Sequence, residues 1–153
     1  MFPESIIVQL YDENCVPVKG DYFAAAYDLS VCNIDNFEGD AVRDEWFINS
    51  GQTVAMDCGF RFVLPENLFA WIVPRSSWRK KGLVCNAIFD PGFLDPVLPF
   101  VTNASREAIR VVKYDRVLQC IFLPRVKDLL VTVRKPTELP FYNRGGGVGS
   151  TGK

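Results

Sequence analysis

The residues best suited to bind anions lie together near the C-terminal end, in "NRGGGVGSTGK": Arg144, five glycines, Ser150, Thr151 and Lys153. Glycine has no Cβ, so successive backbone N–H groups can converge on one set of phosphate oxygens. The arginine, hydroxyls and lysine would add charge-assisted donors. The spacing from Gly147 to Gly152 and Lys153 also fits a P-loop. That identification fails, because no Ser or Thr follows the lysine and no following helix supplies the N-terminal dipole on which such a loop relies. Two readings stay open for this stretch alone: a frayed glycine tail, or a clamp for phosphate.

Further polar groups stand at the ends of apolar runs. Asp28 follows an aromatic in "AAAYDLS", Arg75, Ser76 and Ser77 follow a proline in "VPRSSWRKKG", Asp90 opens "DPGF", and Gln119 sits inside "RVLQCIF". Taken singly, each reads as an ordinary turn, surface or strand residue. The sequence contains no histidine. Ser-His-Asp and Cys-His nucleophile systems and histidine-held metals are therefore excluded, and acid/base work falls to carboxylates, Tyr or Lys. The five cysteines, Cys15, Cys32, Cys58, Cys85 and Cys120, are odd in number, form no C-x-x-C pair and mostly sit among apolar residues. They are expected to be reduced, buried thiols rather than disulfides or zinc ligands.

The elements that must position these groups read as strands. "SIIVQLY", "TVAMDCGFRFVLP", "FAWIVP", "GLVCNAIF", "VLPFVTN", "AIRVVKY", "VLQCIFLP" and "LLVTVRKP" are strand-length, rich in Val, Ile and Phe, and bounded by Pro, Gly, Asn or Asp. No segment keeps helical periodicity for three turns; only "SSWRKKG" after Pro74 predicts a short helix. The expected fold is all-β, a sandwich or closed barrel of the jelly-roll kind. At 153 residues the chain suits one domain, with a composition shift after Asn143 that divides a β domain, 1–143, from a glycine-rich arm, 144–153. Near-zero formal charge gives no reason to expect nucleic-acid or membrane binding. No apolar run approaches ~18 residues and no signal peptide is apparent, so a cytoplasmic protein is expected.

In their order and residue types, "AAYDL", "PRSSWRKKG", "IFDPGF", "YDRVLQCIF" and "RGGGVGSTG" resemble the five motifs of the trimeric deoxyuridine triphosphate nucleotidohydrolase (dUTPase) family, within the dUTPase and dCTP deaminase superfamily. The likeness runs from about Ala25 to the end of the chain. It implies a jelly-roll homotrimer whose sites are built from several chains, the arm of one closing over a site formed by its neighbours. It also implies Mg2+-dependent hydrolysis of dUTP, or a related deoxynucleoside triphosphate, to the monophosphate and pyrophosphate. By the same resemblance Asp90 orients and deprotonates the attacking water, and Phe93 packs on the sugar. Arg75, Ser76, Ser77 and Gln119 hold inner phosphates, while Arg144, Gly149, Ser150 and Thr151 close over the outer end. Asn86 is placed at the uracil edge. Asp28 stands either near the water shell of a Mg2+ carried in by the triphosphate or in a structural role.

The motifs are also broken in places. Ala26 and Tyr114 replace glycines, the hairpin expected between Gly82 and Asp90 is short, and the fifth motif is one residue short. Val148 stands where the family has an aromatic over the base, a contact worth ~1–3 kcal/mol on stacking platforms. Phosphate and sugar recognition thus look retained and base recognition altered. Phe100 occupies the place of the deaminase's catalytic glutamate, which excludes deamination. Besides dUTP hydrolysis, relaxed dCTP/dUTP hydrolysis and a nucleotide-responsive binding protein remain open.

Overall fold

In the computed structural model of the chain, residues 5–35, 43–126 and 128–138 are described. Arg144, Val148, Gly149, Ser150 and Thr151, and with them the arm and its boundary after Asn143, lie outside the described residues.

The described residues form β1 (Ile7–Leu10), β2 (Val18–Lys19), β3 (Tyr27–Ser30), β4 (Asn33–Asp35), β5 (Glu45–Ile48), β6 (Thr53–Asp57), β7 (Phe60–Val63) and β8 (Leu68–Pro74). They continue with helix α1 (Ser76–Lys81), β9 (Leu83–Val84), β10 (Ala87–Phe89), β11 (Phe100–Asn103), β12 (Ile109–Val112) and β13 (Arg116–Pro124). The period-2 pattern is visible in the packing. β5 and β7 bury every second side chain, and β8 buries Leu68, Ala70, Ile72 and Pro74 while Trp71 faces outward.

Two main antiparallel sheets carry the fold, one in the order β10-β8-β13-β3-β2 and the other β4-β6-β11-β9. β1-β7 and β12-β5 are two-stranded pairs. Leu29, Ile72, Leu118 and Phe89 of the first sheet join Met56, Val54, Val101 and Leu83 of the second in one core cluster with Phe60 and Phe62. Each such side chain removed from water contributes roughly 1.5–3 kcal/mol, which is what holds the sheets face to face. The architecture is the all-β jelly roll expected. All five thiols are free. Burial pushes Cys85 up to about 11 and Cys120 to about 12, keeping these core thiols protonated.

Three sequence expectations change. "LLVTVRKP" forms no strand: residues 129–135 find no ladder partner, and Leu130 and Val133 remain 86% and 90% exposed. A strand exists only where a second one accepts its hydrogen bonds, whatever its β propensity. The segment between Gly82 and Asp90 is not a hairpin, because β9 pairs with β11 and β10 pairs with β8. Only Cys85 and Asn86 link the two strands, and the buried Cys85 thiol donates to the Ile72 carbonyl at 3.8 Å, which ties the link to β8. Finally, β2, β3, β4 and β5 are strands that the apolar runs did not include. The helix after Pro74 forms as expected and stops at Gly82, whose φ of +113° is the left-handed cap glycine adopts readily.

Candidate active site

Asp28, Gln119 and Arg75 meet at one end of the five-stranded sheet. β3, β13 and β8 are neighbours there, and the register sets Gln119 opposite both Asp28 and Val73. Gln119 Nε2 donates to the Pro74 carbonyl at 3.2 Å. The Arg75 backbone N–H donates to the Val117 carbonyl at 2.9 Å and its Nη1 to the Arg116 carbonyl at 3.0 Å. Its Nε lies 3.1 Å from Asp28 Oδ1, the two side chains being 37% and 14% exposed. A pair this open to water adds at most about 1 kcal/mol to stability. What it does is aim the guanidinium across β13 toward β3. Two of the five donors a guanidinium carries are engaged here, and the fork suits phosphate oxygens. Ser76 and Ser77 follow at the exposed first turn of α1, where no side chain caps the helix.

Asp90 stands elsewhere. The Phe93 N–H donates to the Asp90 carbonyl at 3.1 Å, and Gly92 has φ +101°. With Pro91 at the second position, "DPGF" therefore closes as a type II turn, which requires glycine at the third. Asp90 is exposed. Phe93, 39% exposed, sets its ring edge against Phe89 at 5.3 Å, and Phe89 packs on Phe62 in the core. One face of Phe93 is thus anchored while the rest meets solvent.

These two groups do not converge within one chain. Asp90 follows Phe89, which pairs with Ala70; Arg75 follows Pro74 at the far end of β8. The register continued from Phe89 sets Asp90 opposite Phe69, six residues of extended chain, about 20 Å, from Arg75. Asn86 lies between the groups, its Oδ1 accepting from Trp71 Nε1 at 2.5 Å. Indole N–H is only a donor, so the Asn86 oxygen must face it and the amide nitrogen faces away. The residues sequence reading missed are Trp71, which fixes Asn86, and Arg116, whose carbonyl holds Arg75. "YDRVLQCIF" contained Arg116; nothing in the sequence marked Trp71. Two concavities of about 350 and 520 Å³ lie elsewhere, the first lined by Tyr11, Asp57 and Arg61, the second by Lys81, Ser105 and Arg106. Neither is lined by a predicted site residue, as befits a site whose parts are spread over an open surface.

The motif departures have physical explanations. Tyr114 has φ +71°, the one non-glycine residue in the left-handed region among those described. The turn therefore keeps the backbone that a glycine adopts freely and pays for a side chain there. Tyr114 Oη compensates by donating to Asp12 Oδ2 at 3.0 Å. Ala26 needs no such conformation. As for Mg2+, Asp28 Oδ1 already faces Arg75 Nε at 3.1 Å, so an ion bound directly at that oxygen would compete with the ion pair. Contact through water leaves it intact, which fits an ion that keeps most of its own waters and arrives with phosphates.

Comparison with known proteins bears on the family and the fold. The family model described as dUTPase matches residues 16–152. The deoxyuridine 5'-triphosphate nucleotidohydrolase of Yarrowia lipolytica is 34% identical over 152 residues, covering 97% of this chain and 89% of that protein. The enzyme of the same name from Escherichia phage T5 is 27% identical over 151 residues, covering 96% and 98%. Among solved structures, the dUTPase of Staphylococcus bacteriophage 80alpha with dUPNHPP superposes with a TM-score of 0.77 at 15% identity, covering 97% of this chain and 99% of that one. A mutant dUTPase from phage phi11 of S. aureus, described with a coordinated structural Mg(II) ion, gives 0.70 at 14% identity, covering 86% and 98%. With its five motifs in order, the matching family model and relatives aligned over nearly its whole length, this chain belongs to the dUTPase family.

Proposed function

We propose that this protein hydrolyses dUTP to dUMP and pyrophosphate. The observation that carries the reading is the meeting of Asp28, Arg75 and Gln119, from three separate motifs, at the end of one sheet. Water attacks the α-phosphorus, the bond to the bridging oxygen breaks, and pyrophosphate leaves. Asp90 orients that water and takes its proton. Arg75 and Gln119, with the hydroxyls of Ser76 and Ser77, hold the inner phosphates, supplying donors where charge develops. Phe93 packs on the sugar, and Asn86 presents its amide nitrogen to the base. Arg144, Ser150 and Thr151, with Gly149, would hold the outer phosphates, and Val148 would stand over the base. Asp28 would reach, through water, a Mg2+ ion bound with the triphosphate, and that ion would neutralise phosphate charge.

The working unit in this proposal is a homotrimer. The separation of Asp90 from Arg75 supports it, since one chain holds both halves of a site but cannot join them. The exposed apolar residues of 129–133, strand-like in sequence and without a strand partner in their own chain, support it independently. Five free thiols suit a reducing, cytoplasmic setting.

The test is pyrophosphate release from each deoxynucleoside triphosphate with and without Mg2+. Mg2+-dependent release from dUTP supports the reading. Tight dUTP binding without release would instead make the protein a nucleotide-responsive binder.

A further inference from the structure

A second cluster of chemistry-bearing side chains lies apart from the nucleotide residues. The carboxylate of Asp12 and the thiols of Cys15 and Cys32 bring one ligand atom each to within 4.8 Å of one another. They come from separate parts of the chain: Asp12 and Cys15 from the loop between β1 and β2, Cys32 from the link between β3 and β4. We propose that Asp12, Cys15 and Cys32 form a binding site for a thiophilic divalent cation of the zinc class, with a fourth position open to water.

Four observations carry this. The donor set is two sulfurs and one carboxylate, which selects a borderline-soft ion and disfavours Mg2+, an ion that wants an octahedron of oxygens. A tetrahedral ion with sulfur bonds of ~2.3 Å and oxygen bonds of ~2.0 Å sets its ligand atoms about 3.5–3.8 Å apart, so the present spacing closes by small side-chain rotations. Cys15 is wholly buried while Cys32 and Asp12 are half-buried, giving the ion a shielded side and an entry path.

The surroundings, moreover, hold all three ligands in place. Asp12 Oδ1 accepts from the Asn14 N–H at 3.0 Å and Oδ2 from Tyr114 Oη at 3.0 Å. The Asp12 N–H donates to the Gly59 carbonyl at 3.2 Å, and the Cys32 N–H to the Asp57 carbonyl at 2.9 Å. Gly59, at φ +76°, leaves the space Cys15 occupies: a Cβ there would stand 2.8 Å from the Cys15 sulfur. Such outer contacts are what orient ligands in metal sites. The strained backbone of Tyr114 is then accounted for, since its phenol is the group that aims the Asp12 carboxylate. The remaining thiols, Cys58, Cys85 and Cys120, belong to the apolar core cluster and take no part.

In this proposal two of the five cysteines, free thiols in the structure as the sequence led us to expect, take a ligand role that the sequence reading did not assign. Neither C-x-x-C nor histidine marks the site, because its ligands are brought together by strand pairing.

The inference is independent of nucleotide hydrolysis and is tested without it. Reduced, metal-depleted full-length protein in excess Mg2+ is titrated with Zn2+ against a chromophoric chelator, and separately with Co2+ followed by absorption. One ion per chain is expected, with a sulfur-to-cobalt charge-transfer band. Cys32→Ser should cut the band at saturation to the share that the Cys15 sulfur alone supplies and weaken binding by more than 100-fold, beyond the roughly 10–100-fold that losing an outer contact costs. Tyr114→Phe should fall within that lower range. Asp12→Asn, at a half-exposed position, gives a second variant whose folding is readily kept, and it should weaken binding while retaining the band. Absence of uptake by the wild type, uptake without the band, or uptake unchanged by both Cys32→Ser and Asp12→Asn would overturn the proposal.

Discussion

Asp90 opens a type II turn fixed by Pro91 and Gly92 and is exposed, so its carboxylate can be exchanged for an amide without disturbing the core. Asp90→Asn is expected to keep dUTP binding and lower turnover by about 10²–10⁴, the range for losing a general base. Equilibrium binding and single-turnover kinetics check the two halves separately; near-normal turnover would remove Asp90 from the role of base. Tyr114 makes the opposite case, a residue kept in spite of its backbone. Left-handed backbone for a side chain costs of order 1–3 kcal/mol, while a hydrogen bond to a carboxylate returns roughly 1.5–3 kcal/mol. Tyr114→Phe keeps the strain and loses the bond, whereas Tyr114→Gly loses both. In metal-free urea unfolding, Tyr114→Phe should therefore be the less stable variant by about 1 kcal/mol or more. The reverse order would mean that the phenol contact carries little.

Among the elements, the link from β9 to β10 is the one that would meet the base in the proposed site. Two residues cross from one sheet to the other, and neither strand returns along its predecessor. A doubled strand could offer a base edge a row of backbone donors and acceptors; a crossing link offers fewer. Asn86 then stands as the principal polar group, held by Trp71. Strong discrimination arises only where the wrong base leaves buried polar groups unpaired. The ratio of kcat/KM values for dUTP and dCTP is therefore expected to fall below roughly 10⁴, the level that fully hydrogen-bonded polar sites reach. A larger ratio in a direct competition assay would show that the crossing link reads uracil completely.

The whole molecule raises the question of how Asp90 and Arg75 come to act together. β8 is a seven-residue strand in the middle of a sheet and cannot fold back to join its own ends. A neighbouring copy, turned so that its Asp90 end meets this chain's Arg75 end, solves the geometry, and rotational symmetry repeats the contact. Asp90→Asn and Arg75→Ala chains, each inactive alone, should complement one another when co-refolded. If every site takes its two halves from different chains, a quarter of the sites carry both native residues, so about a quarter of wild-type activity is expected. Mixed chains that stay as inactive as either parent would place both residues in one chain's site. Light scattering at low concentration gives the companion measurement: a fully active monomer would refute the trimer.

Local conformation was written in the sequence. "DPGF" dictated its turn because Pro and Gly leave few other φ values, Gly82 ended α1 because it alone adopts the left-handed cap cheaply, and alternation of Phe60 and Phe62 with Arg61 in β7 marked which side chains enter the core. The order of motifs likewise singled out Asp28, Arg75, Asp90 and Gln119 as candidates for one functional set. Tertiary structure alone decided the rest, because strand partnership depends on residues distant in sequence. It split the segment between Gly82 and Asp90 over two sheets and left "LLVTVRKP" without a ladder. It set Asp90 some 20 Å of extended chain from Arg75, and it drew Asp12, Cys15 and Cys32 together from loops whose spacing gives no sign that they meet.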